Sequence, residues 1–309
     1  MNTDFFISLL NGTIRTSAPI LLAALGQVYT QKSGILDLSV EGTMTISALA
    51  GFIVTFVTNS TGLGLVAAML AGMLFSSIMA FLSITVKANQ VIAGTALTML
   101  GGGLASFLYR MYFGIRKLPP VIVSCQEIDF GFLSDIPFIG PVFFAHNITI
   151  YIALVMVGIT WFVMKKTVFG LQVHAVGEQP RAADSKGIQV NLIRFICVMI
   201  GGLYSGLAGA SLSLGFMNTY TDHMIAGRGF IAIAVVVFAK WMPKRVLGAA
   251  LLFGGANTLQ MRLQSIGVNI PNQALQALPY LLTIIVLLGV SKHVNFPSSF
   301  AVAYNRNEK

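Results

Sequence analysis

Charge is what this sequence most lacks. Of 309 residues only 9% are Asp, Glu, Lys or Arg, against about 25% in soluble domains. So few ionic groups cannot cover a water-facing surface, and a soluble globular fold is excluded. Cysteine is nearly absent too. Cys125 and Cys197 lie in segments assigned to different sides or depths of a bilayer, so no disulfide framework is implied. There is no GxxxxGK[ST] run and no Gly-Lys dipeptide, so the chain has no phosphate-binding loop of its own. No cluster of His, Cys or acids has metal-ligand spacing, and no nucleophile lies beside an identifiable base. The expectation is therefore a chain that is not an enzyme, with no catalytic residue, metal or cofactor. Met1 to Ser8 lacks a basic n-region, and the first charge is Asp4, so no cleavable signal peptide is expected.

What fills the chain instead is apolar. Hydrophobic residues make up 56% of it, with 31 Gly and 14 Met, a composition suited to closely packed membrane helices. A hydrocarbon core of about 30 Å needs about 20 helical residues, so uncharged runs mark candidate spans. These are Thr16 to Gln31, 43 to 58, 63 to 86, Ala88 to Tyr109, Asn147 to Met164, Phe195 to Met217, Val246 to Met261 and Gln273 to Val290. Asn59-Ser60-Thr61-Gly62 breaks the long uncharged run Thr43 to Val86 into a hairpin. Phe230 to Ala239 is apolar but too short to cross alone. Gly202 and Gly206 have the GxxxG spacing that lets a neighbouring helix approach closely. Phe5, Phe6, Leu9, Leu10 and Ile14 share one helical side and suggest an interfacial helix ahead of the first span. The fold class expected is an all-α integral membrane protein, a polytopic bundle of about nine spans (eight to ten) forming a single transmembrane domain over 1–309.

The net charge of +9 comes from basic residues in short runs between spans, which are orientation signals and not a nucleic-acid footprint. With the loop Lys165 to Arg194 inside, 13 Lys and Arg face the cytoplasm. Six (Arg15, Arg110, Arg116, Lys117, Arg228 and Arg262) face out. The positive-inside rule favours this arrangement, with a cytoplasmic carboxyl terminus. Residues 113–146 form the longest external loop, since Pro119, Pro120, Pro137 and Pro141 with Glu127, Asp129 and Asp135 argue against a further span. It either caps the bundle or is a docking surface that exposes Arg116 and Lys117.

Two acid- and glycine-bearing segments lead into apolar helices: Gly34 to Gly42, with Asp37 and Glu41, and Asp222 to Gly229. Gly-interrupted hydrophobic segments in the two halves of a transporter point to discontinuous helices lining a pathway. Helix capping at the membrane interface explains Asp37 and Glu41 as well. Asn89, Gln90, Thr95, Asn257 and Gln260 place uncharged polar groups in spans, where they suit a neutral polar solute or hold helices together. The central thirds of the spans carry no ionisable group, which speaks against an ion-coupled secondary carrier.

In the cytoplasmic loop 165–194, Pro180 suits the first position of a helix and Gly187 its C′ cap. A helix of about two turns between them has little stability of its own and needs a partner. The run Ala175-Val-Gly-Glu-Gln-Pro-Arg-Ala-Ala-Asp-Ser-Lys-Gly-Ile resembles the EAA-type coupling loop of ABC-importer permeases, in the group that carries branched-chain amino acids, ribose-type sugars and nucleosides. Gly34 to Gly42 resembles that group's signature after the first helix. Asn89-Gln-Val-Ile-Ala-Gly94, Gly227-Arg-Gly-Phe-Ile-Ala232 and Gly248-Ala-Ala-Leu-Leu-Phe-Gly254 are similar to its nucleoside branch, with Gln90 where that branch has Glu.

The resemblance implies an inner-membrane permease of type II, vitamin-B12-importer-like architecture. It would work with ABC ATPase subunits, a second homologous permease in a heterodimer, and an external substrate-binding lipoprotein. Val176, Gly177, Glu178, Pro180, Arg181, Ala182, Ala183, Asp184 and Gly187 would couple to the ATPase. Asp37, Glu41, Asn89, Gln90, Thr95, Asn257 and Gln260 would line the pathway, and Arg116, Lys117 and Arg228 would dock the external protein. The solute expected is a nucleoside, with a monosaccharide or branched-chain amino acid as alternatives. An ion-coupled carrier is the rival class.

Overall fold

A computed structural model of the chain describes residues 2–114, 119–123, 125–128, 131, 140–266, 271–290 and 296–305. These are almost entirely helical. The helices are α1 (Asn2–Lys32), α2 (Val40–Thr58), α3 (Thr61–Ala80, continued by a π turn Phe81–Thr85), α4 (Gln90–Phe113), α5 (Ile148–Lys166), α6 (Val168–Glu178) and α7 (Pro180–Ser185). They continue with α8 (Val190–Ala210, running into a π stretch Ser211–Phe216), α9 (Arg228–Phe238), α10 (Pro243–Ile266), α11 (Asn272–Gln276) and α12 (Leu278–Val290). Two residue pairs form a short antiparallel ladder, with Glu127 opposite Asn147 and Ile128 opposite His146.

Among the described residues, six helices are long and apolar enough to cross a membrane: Phe5–Lys32, Val40–Thr58, Thr61–Thr85, Gln90–Phe113, Ile148–Lys166 and Val190–Phe216. α9 and α12 are shorter, with 11 and 13 residues. α10 has the length, 24 residues, but carries Lys244, Arg245, Asn257, Gln260 and Arg262. The interfacial helix expected ahead of the first span is not separate. It forms the opening turns of α1, which runs as one helix from Asn2 to Lys32 with Pro19 inside it.

Side-chain chemistry sets the helix starts. Asn89 accepts from the amides of Val91 and Ile92 (3.0 and 3.2 Å) and caps α4; Thr167 accepts from Gly170 (3.2 Å) and caps α6. α8 is the central helix, packed on α1, α2 and α3. Lipid supplies no hydrophobic drive for helix association, so close backbone approach carries the packing. The Gly202/Gly206 pair supplies that approach. A Cβ on Gly206 would come within 2.9 Å of the Met69 Cα, and one on Gly72 within 3.0 Å of the Gly206 Cα. α10 is tied to α1 at mid-length, where Thr16 donates to the Gly254 carbonyl and shares a hydroxyl contact with Thr258, both 2.9 Å.

The described parts of 113–146 lie at the end of the bundle that holds the amino-terminal turns of α1 and the carboxyl-terminal end of α8. Asn11 donates to the Pro141 carbonyl (2.5 Å), the Cys125 amide to Leu214 (3.0 Å) and the Ile122 amide to Asn218 (3.1 Å). Residues 296–305 lie at the opposite end, beside the last turn of α1.

Candidate transport and coupling sites

Between α1 and α2 the chain does not simply turn at the membrane surface. Gly34 to Ser39 runs back into the bundle alongside α4: the Thr98 hydroxyl donates to the Leu38 carbonyl (2.8 Å), and the Leu36 amide donates to Gln90 Oε1 (2.8 Å). Gly42 then lies against Gly101, where added Cβ atoms would approach the opposite backbone at 2.7–2.9 Å. Gly101 is the twelfth of the 24 residues of α4, about 16 Å along its axis from Gln90 at 1.5 Å per residue. The first turn of α2, with Glu41, therefore sits at the middle depth of α4.

Glu41 does not serve its own helix. Its Oε1 accepts from the Gly227 amide and its Oε2 from the Gly229 amide, both at 2.7 Å. It thereby satisfies two free donors at the start of α9 and lies against that helix's positive end. Gly227 adopts φ +78°, a left-handed conformation in which glycine carries no Cβ penalty. The two glycine-bearing segments thus meet, one carboxylate joining them. Arg228 lies within electrostatic reach of Glu41 and is 7% exposed. Two expectations are corrected here. Arg228 is buried at the head of α9, not displayed as an external docking cation, because its Nη1 donates to Met224 and Ile225 carbonyls in the preceding turn (3.0 Å each). The bundle centre also holds ionisable groups, Glu41 and Arg228. They are balanced against each other.

Asp37 accepts from the amide and hydroxyl of Ser39 (2.9 and 2.6 Å) and so fixes the bend before α2. Gln90 is buried, as is Asp37, whereas Asn89 and Thr95 sit on the exposed face of α4, with the Thr95 hydroxyl returned to Val91 and Ile92 carbonyls. Asn257 and Gln260 are half-buried on α10 and line a cavity together with Arg228. The structure therefore places Asp37 and Gln90 along the re-entrant segment toward the start of α4, Glu41 deeper at the junction of α2 with α9, and Asn257 and Gln260 in the cavity beside that junction, leaving Asn89 and Thr95 apart. In the loop before α9, Asp222 accepts from Ser106 (2.6 Å) and lies 3.4 Å from Arg110. Arg116 and Lys117 fall outside the described residues.

At the opposite end, α6 and α7 form a compact unit. α7 spans Pro180–Ser185, as Pro180 and Gly187 predict. It closes with the Gly187 amide on the Asp184 carbonyl (2.9 Å) and the Ile188 amide on Ala183 (3.1 Å), a Schellman pattern with Gly187 at φ +84°. Arg181 and Ala182 are exposed and Ala183 is buried. The helix packs on α6 and α8. α6 is seated on the end of α1 at Gly177, where a Cβ would collide with the Lys32 carbonyl. Val176 is fully buried there, while Glu178 is exposed and accepts from the Ser298 hydroxyl (3.0 Å). Burial, then the charge of Lys32, lowers the pKa of His174.

The elements that sequence reasoning missed are the tail and Arg194. Ser299 donates its hydroxyl and its amide to the Gly177 carbonyl (2.6 and 3.0 Å), and the Ala301 amide donates to Gly34 (2.9 Å). Arg194, 1% exposed, donates to the Ser33 carbonyl (3.0 Å), the Val302 carbonyl (2.9 Å) and Ser299 Oγ (3.2 Å). One guanidinium thus joins the end of α1, the start of α8 and the tail. Its one sequence signal is an arginine in the first turns of an otherwise uncharged span.

The family described as branched-chain amino acid transport system / permease component matches residues 9–289. A protein of Haloferax volcanii, named as a permease for glucose ABC transport, is 38% identical over 98% of this chain and 99% of its own. The guanosine ABC transporter permease protein of Bacillus subtilis is 37% identical over 96% of each chain, and the nucleoside ABC transporter permease protein of Lactococcus lactis subsp. cremoris 32% over 88% of each. Bacillus subtilis also has a second guanosine ABC transporter permease protein, 24% identical over 91% of this chain and 80% of its own. A match over nearly the whole chain, to a family whose members span membranes as this helix bundle is built to do, identifies the protein as a member of the branched-chain amino acid transport system / permease component family, a multi-pass ABC transporter permease subunit.

Proposed function

We propose that the chain is one permease of an ABC importer that carries nucleosides across the cytoplasmic membrane. The observation that carries the mechanism is α7, a short exposed helix packed on the start of α8 and on α6, which is itself seated on the end of α1 at Gly177 and strapped there by Ser299 and Arg194. Such a projection transmits a push on its exposed face to the bundle. Val176, Gly177, Glu178, Pro180, Arg181, Ala182, Ala183, Asp184 and Gly187 form the surface and seating that take the stroke of the ABC ATPase subunits. Asp37 and Gln90 hold the re-entrant segment that leads into α2, Glu41 holds the mid-depth junction of α2 and α9 beside the solute, and Asn257 and Gln260 face it. Asn89 and Thr95 border the path where a second permease covers the outer face of α4. The paired guanosine permeases of Bacillus subtilis favour such a heterodimer.

In this reading the six long helices, with α9, α10 and α12, make about nine membrane segments in type II architecture. Residues 113–146 are external and serve, through Arg116 and Lys117, the substrate-binding lipoprotein. Residues 165–194 and the carboxyl terminus are cytoplasmic. The guanosine- and nucleoside-named relatives favour a nucleoside. The glucose-named relative supports a monosaccharide as the second reading.

The test is uptake of radiolabelled guanosine by cells that express the transporter with Ala182→Arg or Gly187→Pro. Ala182→Arg adds bulk to the exposed face, and Gly187→Pro removes an amide and a left-handed φ that close α7. Both variants are expected in the membrane at normal levels, hydrolysing ATP without uptake. Normal uptake by both counts against the reading.

A further inference from the structure

Between α1, α9, α10 and the α11–α12 segment lies a cavity of about 340 Å³, within the range of small-molecule pockets, about 300–1,000 Å³. Phe253 and Tyr280 give it aromatic surface, and Asn257, Gln260 and Gln276 give it amides. Its depth follows from its neighbours. Arg228 opens α9 at the level of Glu41, and Phe253 and Asn257 fall near the middle of the 24-residue α10.

Arg228 is the informative member. It is 7% exposed, and while its Nη1 serves two carbonyls of its own turn, its Nε–H has no partner among the described residues. A buried donor left without an acceptor is costly, more so on a charged group. Arg228 lines the cavity with its Nε–H just beneath the wall, so a small turn of the guanidinium brings that donor to an acceptor on an occupant. Glu41, bonded to the amides on either side of Arg228, offsets the guanidinium charge. The site is near neutral overall and suits an uncharged acceptor. A phosphate or carboxylate would upset the balance that Glu41 already supplies.

We propose that this cavity is a solute subsite for an uncharged nucleoside. Arg228 Nε–H donates to an acceptor of the solute, and the Asn257 and Gln260 amides, each offering one donor and one acceptor side, pair with the edge of the base. The assignment rests on the nucleoside reading above and adds Arg228 to it in a role at the centre of the membrane.

The experiment uses the complete transporter in membrane vesicles, with Asn257→Ala, Gln260→Ala and Arg228→Lys. The last keeps a cation facing Glu41 and removes the Nε–H. Asn257→Ala and Gln260→Ala are each expected to raise the guanosine KM by about fivefold, the loss of one neutral hydrogen bond, and Arg228→Lys, which loses a bond from a charged donor, by about tenfold or more. Asn257→Ala and Gln260→Ala are also expected to change the guanosine-to-uridine uptake ratio, which a general loss of folded transporter would leave constant. Unchanged KM and an unchanged ratio in vesicles that take up guanosine overturn the subsite. Unmutated vesicles that take up glucose and no nucleoside overturn the functional reading instead. In those vesicles the same three variants are assayed with glucose, and an unchanged KM overturns the cavity as a solute site of any kind.

Discussion

The carboxylate of Glu41 is the point of the architecture most open to attack, because among the described residues it accepts both side-chain hydrogen bonds that join α2 to α9. Each of its oxygens accepts one backbone amide at 2.7 Å, and hydrogen bonds to a charged group contribute about 1.5–3 kcal/mol each. Glu41→Gln keeps one acceptor oxygen and turns an NH2 group toward the second amide, so about 2–3 kcal/mol should be lost. Glu41→Ala loses both bonds and leaves the Arg228 charge without its counterpart, a break of about 3–5 kcal/mol by analogy with buried ion pairs. At 1.4 kcal/mol per decade, the Gln variant should raise amide exchange at Gly227 and Gly229 by about 30- to 150-fold. Hydrogen–deuterium exchange of the transporter in nanodiscs reads this directly from peptides covering 224–231. Peptides of α3 and α8, which do not touch Glu41, should keep their protection. Unchanged exchange over 224–231 in Glu41→Ala refutes the cap.

Three further outcomes follow from the packing and the charges. Gly206→Ala should cost about 1–3 kcal/mol by overpacking α8 on α3 and lower the melting temperature, whereas Gly102→Ala, whose Cβ meets nothing within 4 Å, should not; equal melting of the two refutes the close approach. Arg194→Met removes three charge-assisted bonds and should speed exchange at the Ser299 and Ala301 amides while α6 loosens from α1; normal protection there refutes the clamp. His174 titrates below its unfolded value of about 6.5 because burial and Lys32 disfavour the cation. Its neutral form therefore contributes stability that is complete above pH 6.5 and is lost as pH falls through the lower, folded pKa. His174→Gln should flatten that loss between pH 7 and 5, and an imidazole titration midpoint at or above 6.5 would refute it.

Helices whose limits depend on local chemistry were legible in the sequence. Asn59 to Gly62 separates α2 from α3 because no apolar run continues through it, and Pro180 and Gly187 bound α7 through a fixed φ and a left-handed cap. The ten apolar residues from Phe230 correspond to α9. Features that depend on distant partners were not legible. The chain from Gly34 to Ser39 re-enters the bundle because Gln90 and Thr98 of α4 satisfy its backbone there, and an acid that reads as interfacial thereby reaches mid-depth. Arg228 reads as a loop cation until its helix is seen to begin inside. The partners that α7 requires are α6 and α8, and α6 is strapped to α1 by a tail more than a hundred residues later, held by Arg194; no periodicity signals a strap of that kind. The candidate coupling residues, which form one contiguous run, stayed together. The candidate pathway residues, scattered from the segment before α2 to α10, divided between the re-entrant segment, the α2–α9 junction, a cavity wall and an exposed face.

The central claim is that ATP spent by a partner subunit drives this bundle to carry a nucleoside. The most direct measurement reconstitutes the complete transporter, with its binding protein, in proteoliposomes and follows radiolabelled guanosine. The account predicts accumulation that requires ATP on the ATPase side, persists when proton and sodium gradients are collapsed, and stops with Ala182→Arg. Accumulation by this chain alone, driven by a proton or sodium gradient without ATP, would contradict it.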